Sequence, residues 1–201
     1  MTGAVTLCVF CASSERIDPR YARLAGDVGA ELARRGWSLV TGGGSVGMMG
    51  AVARTARAGG ARTVGIIPQA LADLEVADHE ADELVVTADM RERKGLMDAR
   101  ADAFLTLPGG IGTLEELLEI WVARSLGMHA KPVVVLDPEA DFASLRAGVD
   151  HLVDAGFIRP GAAAEVVWTA SVSEAFSALE AGLLSPHGRR APADELLEAQ
   201  P

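Results

Sequence analysis

Short apolar runs rich in β-branched residues recur along the chain at Thr6 to Phe10, Ser38 to Thr41, Thr63 to Ile67, Leu84 to Thr87, Ala103 to Leu107, Pro132 to Leu136 and Val166 to Thr169. Their hydrophobicity is continuous rather than alternating, the pattern of strands covered on both faces. Segments of helical spacing lie between them. In the first, Asp18-Pro19 offers a cap and a preset first residue, Tyr21, Leu24, Val28 and Leu32 repeat along one face, and Gly36 ends the run. The others are Met48 to Ala58, Met90 to Arg100, Thr113 to Ser125, Phe142 to Ala155 and Ser173 to Ala181. Strand then helix, repeated, implies right-handed crossovers. The expected architecture is an α/β, Rossmann-like three-layer sandwich around a central parallel sheet of about seven strands. After Leu184 the text turns to Ser-Pro-His-Gly-Arg-Arg and a short acidic segment, so a single domain over residues 1–183 and a mobile tail over 184–201 are expected.

Composition narrows the class of partner. The 201 residues carry a formal charge of −10, which repels nucleic acid phosphates and an anionic bilayer, so neither is expected as a partner. The longest uncharged stretch, Gly36 to Ala53, is too rich in glycine to span a membrane, and no leader pattern opens the chain; a cytoplasmic protein is expected. Cys8 and Cys11 form a C-x-x-C, but Cys8 falls within a strand rather than at a helix start. Buried structural thiols are therefore expected rather than a redox pair.

Four segments carry candidate chemistry. Cys11-Ala12-Ser13-Ser14 follows the first strand, where ligands of open parallel sheets bind; Ser13 and Ser14 can donate to a phosphate, or simply form an ST-turn leading to Asp18. Gly42-Gly43-Gly44-Ser45-Val46-Gly47-Met48-Met49-Gly50 follows the second strand. It fits G-x-G-x-x-G, but no acid ends the next strand, which argues against a dinucleotide. Gly43, Gly44 and Gly47 remain candidates to bring backbone N–H groups to an anion. Pro108-Gly109-Gly110-Ile111-Gly112-Thr113-Leu114-Glu115-Glu116 again joins a strand to a helix. Gly109, Gly110, Gly112 and Thr113 can cradle a phosphate, while Thr113 and Glu116 also fit a capping box that would make Glu116 structural. Asp89-Met90-Arg91-Glu92-Arg93-Lys94 places three cations in four positions of an acidic chain, and Met90, Arg93 and Lys94 can reach the same sheet edge as Glu116.

The glycine-rich Gly42 to Gly50, the Arg93-Lys94 pair and Pro108-Gly109-Gly110-x-Gly112-Thr113-x-x-Glu116 resemble the signature of the Lonely guy (LOG) family, cytokinin riboside 5′-monophosphate phosphoribohydrolases often mislabelled lysine decarboxylases. The resemblance covers roughly residues 5 to 182. It implies hydrolysis of N6-substituted AMP to free base and ribose 5-phosphate, with Arg93 and Glu116 matching the family's catalytic Arg and Glu. Arg91 departs from it, because many members have His there. The alternatives are a general AMP or GMP nucleosidase and a non-catalytic molybdenum cofactor carrier of the same superfamily. A homodimer is also expected, since related proteins assemble and Leu114, Leu117, Leu118, Trp121 and Val122 exceed one buried stripe.

The implied chemistry suits the residues. N-glycosidic cleavage passes through an oxocarbenium-like sugar, which a carboxylate can stabilise while it orients or deprotonates water. No cofactor and no metal are expected. His79, His129, His151 and His187 are scattered, and neither Lys94, among arginines, nor Lys131, before a strand, suits a Schiff base to pyridoxal phosphate.

Overall fold

The structure, a computed structural model, describes residues 4–73 and 76–185. The first half runs β1 (Thr6–Phe10), α1 (Pro19–Arg34), β2 (Ser38–Thr41), α2 (Gly47–Ala58), β3 (Thr63–Pro68), the short α3 (Gln69–Ala72) and β4 (Glu83–Thr87). The second half runs α4 (Met90–Arg100), β5 (Ala103–Thr106), α5 (Ile111–Ser125), β6 (Val133–Leu136), α6 (Ala143–Asp154), the short α7 (Pro160–Ala163), β7 (Val166–Thr169) and α8 (Val172–Leu184). The seven strands make one sheet in the order β4-β3-β2-β1-β5-β6-β7, every pair parallel. The α/β expectation holds, with two one-turn helices the hydrophobic pattern had not marked. Of the expected tail, Leu184 still belongs to α8, and everything after Ser185 lies outside the described residues.

Strand alternation sorts the core into two layers. Leu7, Val9, Leu39, Ala103, Leu105 and Val134 pack with α1, α2 and α8, while Cys8, Phe10, Val40, Phe104, Val133 and Val135 pack with α4, α5 and α6. Phe10 and Phe104 stack across β1 and β5 with ring centroids 5.8 Å apart. Cys8 and Cys11 fall on opposite faces and both are free, so the C-x-x-C cannot close on itself.

Two helix starts decide what the sheet edge presents. Asp18 caps α1 as expected, its carboxylate accepting from the Arg20 N–H at 2.8 Å ahead of Pro19. For α5 the expectation is corrected. The helix begins at Ile111, two residues before Thr113, with Gly110 as an extended N-cap and no side-chain capping bond. Thr113 is thus the third helical residue and Glu116 the sixth, so the capping box does not form. The D-x-x-E device sits instead on α4. There Asp89 accepts from the N–H groups of Arg91 and Glu92 at 2.8 and 2.9 Å, and Glu92 accepts from Ala88 N–H at 2.7 Å.

The α1–α2 contact yields a paired test of helical glycines. A methyl on Gly29 would lie 2.5 Å from the Val52 carbonyl oxygen, whereas one on Gly148 in α6 meets nothing within 4 Å. Gly148→Ala should stabilise by about 0.5–1 kcal/mol through helix propensity. Gly29→Ala should reverse the sign and cost about 1–3 kcal/mol by overpacking. Urea unfolding of both variants with unchanged m-values checks the pair.

Candidate active site

The strand order reverses at β1 and β5. From β1 the chain builds outward to β4, then α4 carries it back across the sheet so that β5 lies on the other side of β1. Loops after these two neighbouring strands diverge, which opens a crevice at the carboxyl edge. A pocket fills it. Cys11, Ala12, Ser13 and Ser14 come from the loop after β1, Met49 from α2, Met90 and Arg93 from α4, and Gly110, Gly112, Thr113 and Glu116 from the start of α5.

The α5 end of this pocket presents unpaired backbone donors. With no side chain capping the helix, the N–H groups of its first turn have no intrahelical acceptor, and the ladder begins only at Leu114 N–H to the Gly110 carbonyl, 3.0 Å. Thr113, buried, adds a hydroxyl. Gly109 stays outside the pocket lining and works beneath it: a methyl there would lie 2.1 Å from Thr113 Oγ1, so the threonine rests directly on the glycine.

The second glycine loop has a different role from the one expected. Gly44 N–H points inward to Met49 Sδ at 3.1 Å, Gly43 N–H to Thr41 Oγ1 at 3.2 Å, and the first N–H groups of α2, from Met48 and Met49, both reach the Ala12 carbonyl at 3.0 and 3.2 Å. Gly47, at φ +58, brings α2 against the backbone of Ser13 and Ser14, where a methyl would sit 2.7 Å from the Ser14 carbonyl oxygen. Gly43, Gly44 and Gly47 therefore do not line the pocket. The Met48 and Met49 amides and the close approach of Gly47 hold the loop after β1 in place, while the Gly43 and Gly44 amides bond within their own loop and to α2. Ser14 combines both readings, lining the pocket while its hydroxyl accepts from Arg16 N–H at 3.2 Å in an ST-turn.

At the centre lie two buried charged side chains. Arg93, 6% exposed, donates from Nε to the Ile66 carbonyl at 3.2 Å, sets Nη1 3.5 Å from Met90 Sδ, and turns Nη2 toward Glu116 Oε1 at 3.6 Å. Glu116 is 7% exposed, and burial pushes its carboxyl up to about 7; Arg93 and Lys94 pull it down and Glu115 and Glu119 push it up, each by less. The Cys8 and Cys11 thiols are driven far above their ordinary value by burial first and Glu116 second, so both stay protonated and neither is a nucleophile.

Lys94 is corrected. Its ammonium turns away from the pocket to Glu119 at 2.6 Å and to Glu115, clamping α4 to α5 on the outside of the Arg93–Glu116 pair. Lys131 is likewise held, 2.8 Å from Asp98. Among the described residues no group of three or more His, Cys, Asp or Glu could hold a metal ion. Sequence reasoning missed the lining role of Cys11 and Met49; the residue C-terminal to the Gly47-Met48 turn was the signal for Met49, and a thiol at the very end of a strand for Cys11.

A doubly wound parallel sheet with an uncapped helix start and a buried acid–arginine pair at its switch point defines a Rossmann-like α/β protein. The family described as possible lysine decarboxylases matches residues 49–179. A Mycobacterium marinum cytokinin riboside 5′-monophosphate phosphoribohydrolase is 49% identical over 90% of this chain and 96% of its own, and an Arabidopsis thaliana protein of that activity is 43% identical over 87% and 80%. The chain belongs to this family, the Lonely guy family of the resemblance above. Among solved structures, a molybdenum cofactor binding protein from Rippkaea orientalis superposes with a TM-score of 0.69 over 90% of this chain and 98% of that one; at 21% identity it shares the fold alone.

Glu116 links pH to stability. Its folded-state value is raised from 4.5, so its contribution is present below about pH 4.5 and is lost as pH rises through about 7. Glu116→Gln imitates the protonated side chain. Its stability relative to wild type should therefore grow between pH 5 and pH 8 by about 1–3 kcal/mol. Urea unfolding at the two pH values checks this; a constant difference would mean a carboxylate already ionised at pH 5.

Proposed function

We infer that the protein hydrolyses the N-glycosidic bond of N6-substituted AMP, a cytokinin riboside 5′-monophosphate, giving the free base and ribose 5-phosphate. The observation that carries this reading is the buried Arg93–Glu116 pair beside an uncapped helix start, in a chain 49% identical to a curated phosphoribohydrolase. The 5′-phosphate is assigned to the α5 amides and the Thr113 hydroxyl, with Ser13 and Ser14 at the rim. That places the anomeric carbon one sugar's length along the pocket, toward Glu116. With its carboxyl near neutrality, Glu116 can ionise against the developing oxocarbenium ion and orient or deprotonate the attacking water. Arg93 keeps that carboxylate placed and more readily ionised than burial alone would allow.

We further propose a cytoplasmic homodimer. No helix among the described residues is long and apolar enough to cross a membrane. Ile111, Leu118, Val122, Leu126 and Met128 lie exposed together along α5 and its following turn, Ile111 at 88%. This strip starts at the rim of the pocket, so a second copy docked there would close one side of it.

Two measurements test these readings. Glu116→Gln should lower kcat on isopentenyladenosine monophosphate by about 10²- to 10⁴-fold in a folded protein. Product chromatography on that substrate, its riboside, AMP and GMP should show turnover of the first well above the rest, and near wild-type turnover by Glu116→Gln would favour a binding protein instead. Leu118→Asp with Val122→Asp should turn a dimer into a monomer by light scattering at micromolar concentration; a wild-type monomer would sink the assembly.

A further inference from the structure

The first glycine of the second loop, Gly42, contributes no amide to the pocket and does not line it. It follows β2 at the carboxyl edge of the sheet, on the strand between β1 and β3. Its backbone is not in the left-handed region, unlike that of Gly43 at φ +74, so conformation does not explain why a glycine stands there. Space does. A methyl built on Gly42 would lie 1.6 Å from Arg93 Nη2, 2.7 Å from Cζ and 3.2 Å from Nε, and these are its three nearest atoms. At 1.6 Å the methyl would occupy the volume of the nitrogen that faces Glu116 Oε1.

We propose that Gly42 is a positioning residue, its missing side chain being the berth that lets the Arg93 guanidinium lie flat on the β2 edge and face Glu116. This deepens the hydrolase reading and rests on it. The guanidinium is tethered at Nε by the Ile66 carbonyl and flanked at Nη1 by Met90 Sδ, and the pocket is the open side. A side chain at position 42 therefore displaces the end of a flexible arginine into the pocket rather than breaking the sheet. The displaced cation no longer faces the carboxylate and intrudes where the sugar would bind. A substitution outside the pocket thus acts on the reaction through another residue.

The experiment is a double-mutant cycle of Gly42→Ala with Arg93→Ala, read by thermal unfolding and by kcat. Gly42→Ala alone should lower both Tm and kcat, with kcat within about threefold of the Arg93→Ala value. In the Arg93→Ala background it should change Tm and kcat by less than about a quarter of its effect alone, because the atoms it strikes are gone. Should Gly42→Ala fail to fold, a folded double variant still supports the berth. Equal losses of Tm in both backgrounds would overturn it. The pH profile adds a readout that a purely structural role would not move. Glu116 is faced by Arg93 and Lys94 from α4, by Glu115 and Glu119 on its own helix, and by the protonated Cys8 and Cys11 on the β1 side. Removing or turning Arg93 takes away the larger of the two cationic influences, so the ascending limb of kcat should move to higher pH in both single variants; an unmoved limb in Gly42→Ala alone would also overturn the proposal. The outcomes separate from those of the parent reading. If Glu116→Gln and Arg93→Ala leave activity intact, the hydrolase reading fails, while the Tm cycle still decides whether Gly42 and Arg93 are coupled.

Discussion

A carboxyl group taken almost wholly out of water and set against a single guanidinium is the interaction on which the arrangement of this protein turns. Burial alone would keep Glu116 protonated and inert, and a tight, bidentate ion pair would keep it ionised but occupied. The observed separation of 3.6 Å leaves the arginine close enough to favour charge and too far to take up the oxygen's lone pairs. The carboxyl remains near neutrality and open to a third party. Much of the surrounding structure can be understood as holding two helices so that this spacing persists: the Asp89 and Glu92 cap fixes where α4 begins, and Lys94 ties the outer faces of α4 and α5 together.

The two glycine loops look alike in sequence and differ in what their amides do. After β5 the helix starts without a side-chain cap, and its donors stay available. After β2 the donors of α2 are committed to Ala12, so that helix start serves as a fastening for the loop after β1. The difference lies in tertiary contacts. A glycine-rich strand-to-helix turn announces close backbone approach, whether to a ligand or to another stretch of chain.

That ambiguity explains which parts of the protein the amino-acid pattern reveals. Continuous apolar runs are legible because the five inner strands are covered on both faces, and helix ends marked by Asp18-Pro19 or Gly36 are legible because local chemistry decides them. Arg93 stands out as one of three cations in four positions of an acidic chain, whereas Glu116 stands beside Glu115 and Glu119 and is singled out only by the family resemblance. The place of Lys94 was hidden because the carboxylates that claim it, Glu115 and Glu119, lie on a different helix, and the capping-box alternative for Thr113 and Glu116 fails because α5 begins two residues before Thr113. The role of Gly42 is legible only once a distant arginine is seen crossing it.

The order of the strands also has a temporal side. The crevice exists only when β1 and β5 pair, Leu7 against Ala103 through Phe10 against Thr106, and the chain between them must first be laid down as three further strands and their crossovers. Contacts of such long sequence separation close late in folding because of the loop entropy they must overcome. As the chain emerges from a ribosome, its amino-terminal half can assemble β1 to β4 and still lack the wall that carries the acid. The wall that carries Glu116 therefore joins the sheet only after its first four strands have been made, and an interrupted chain that stops before α5 presents a sheet edge without that wall.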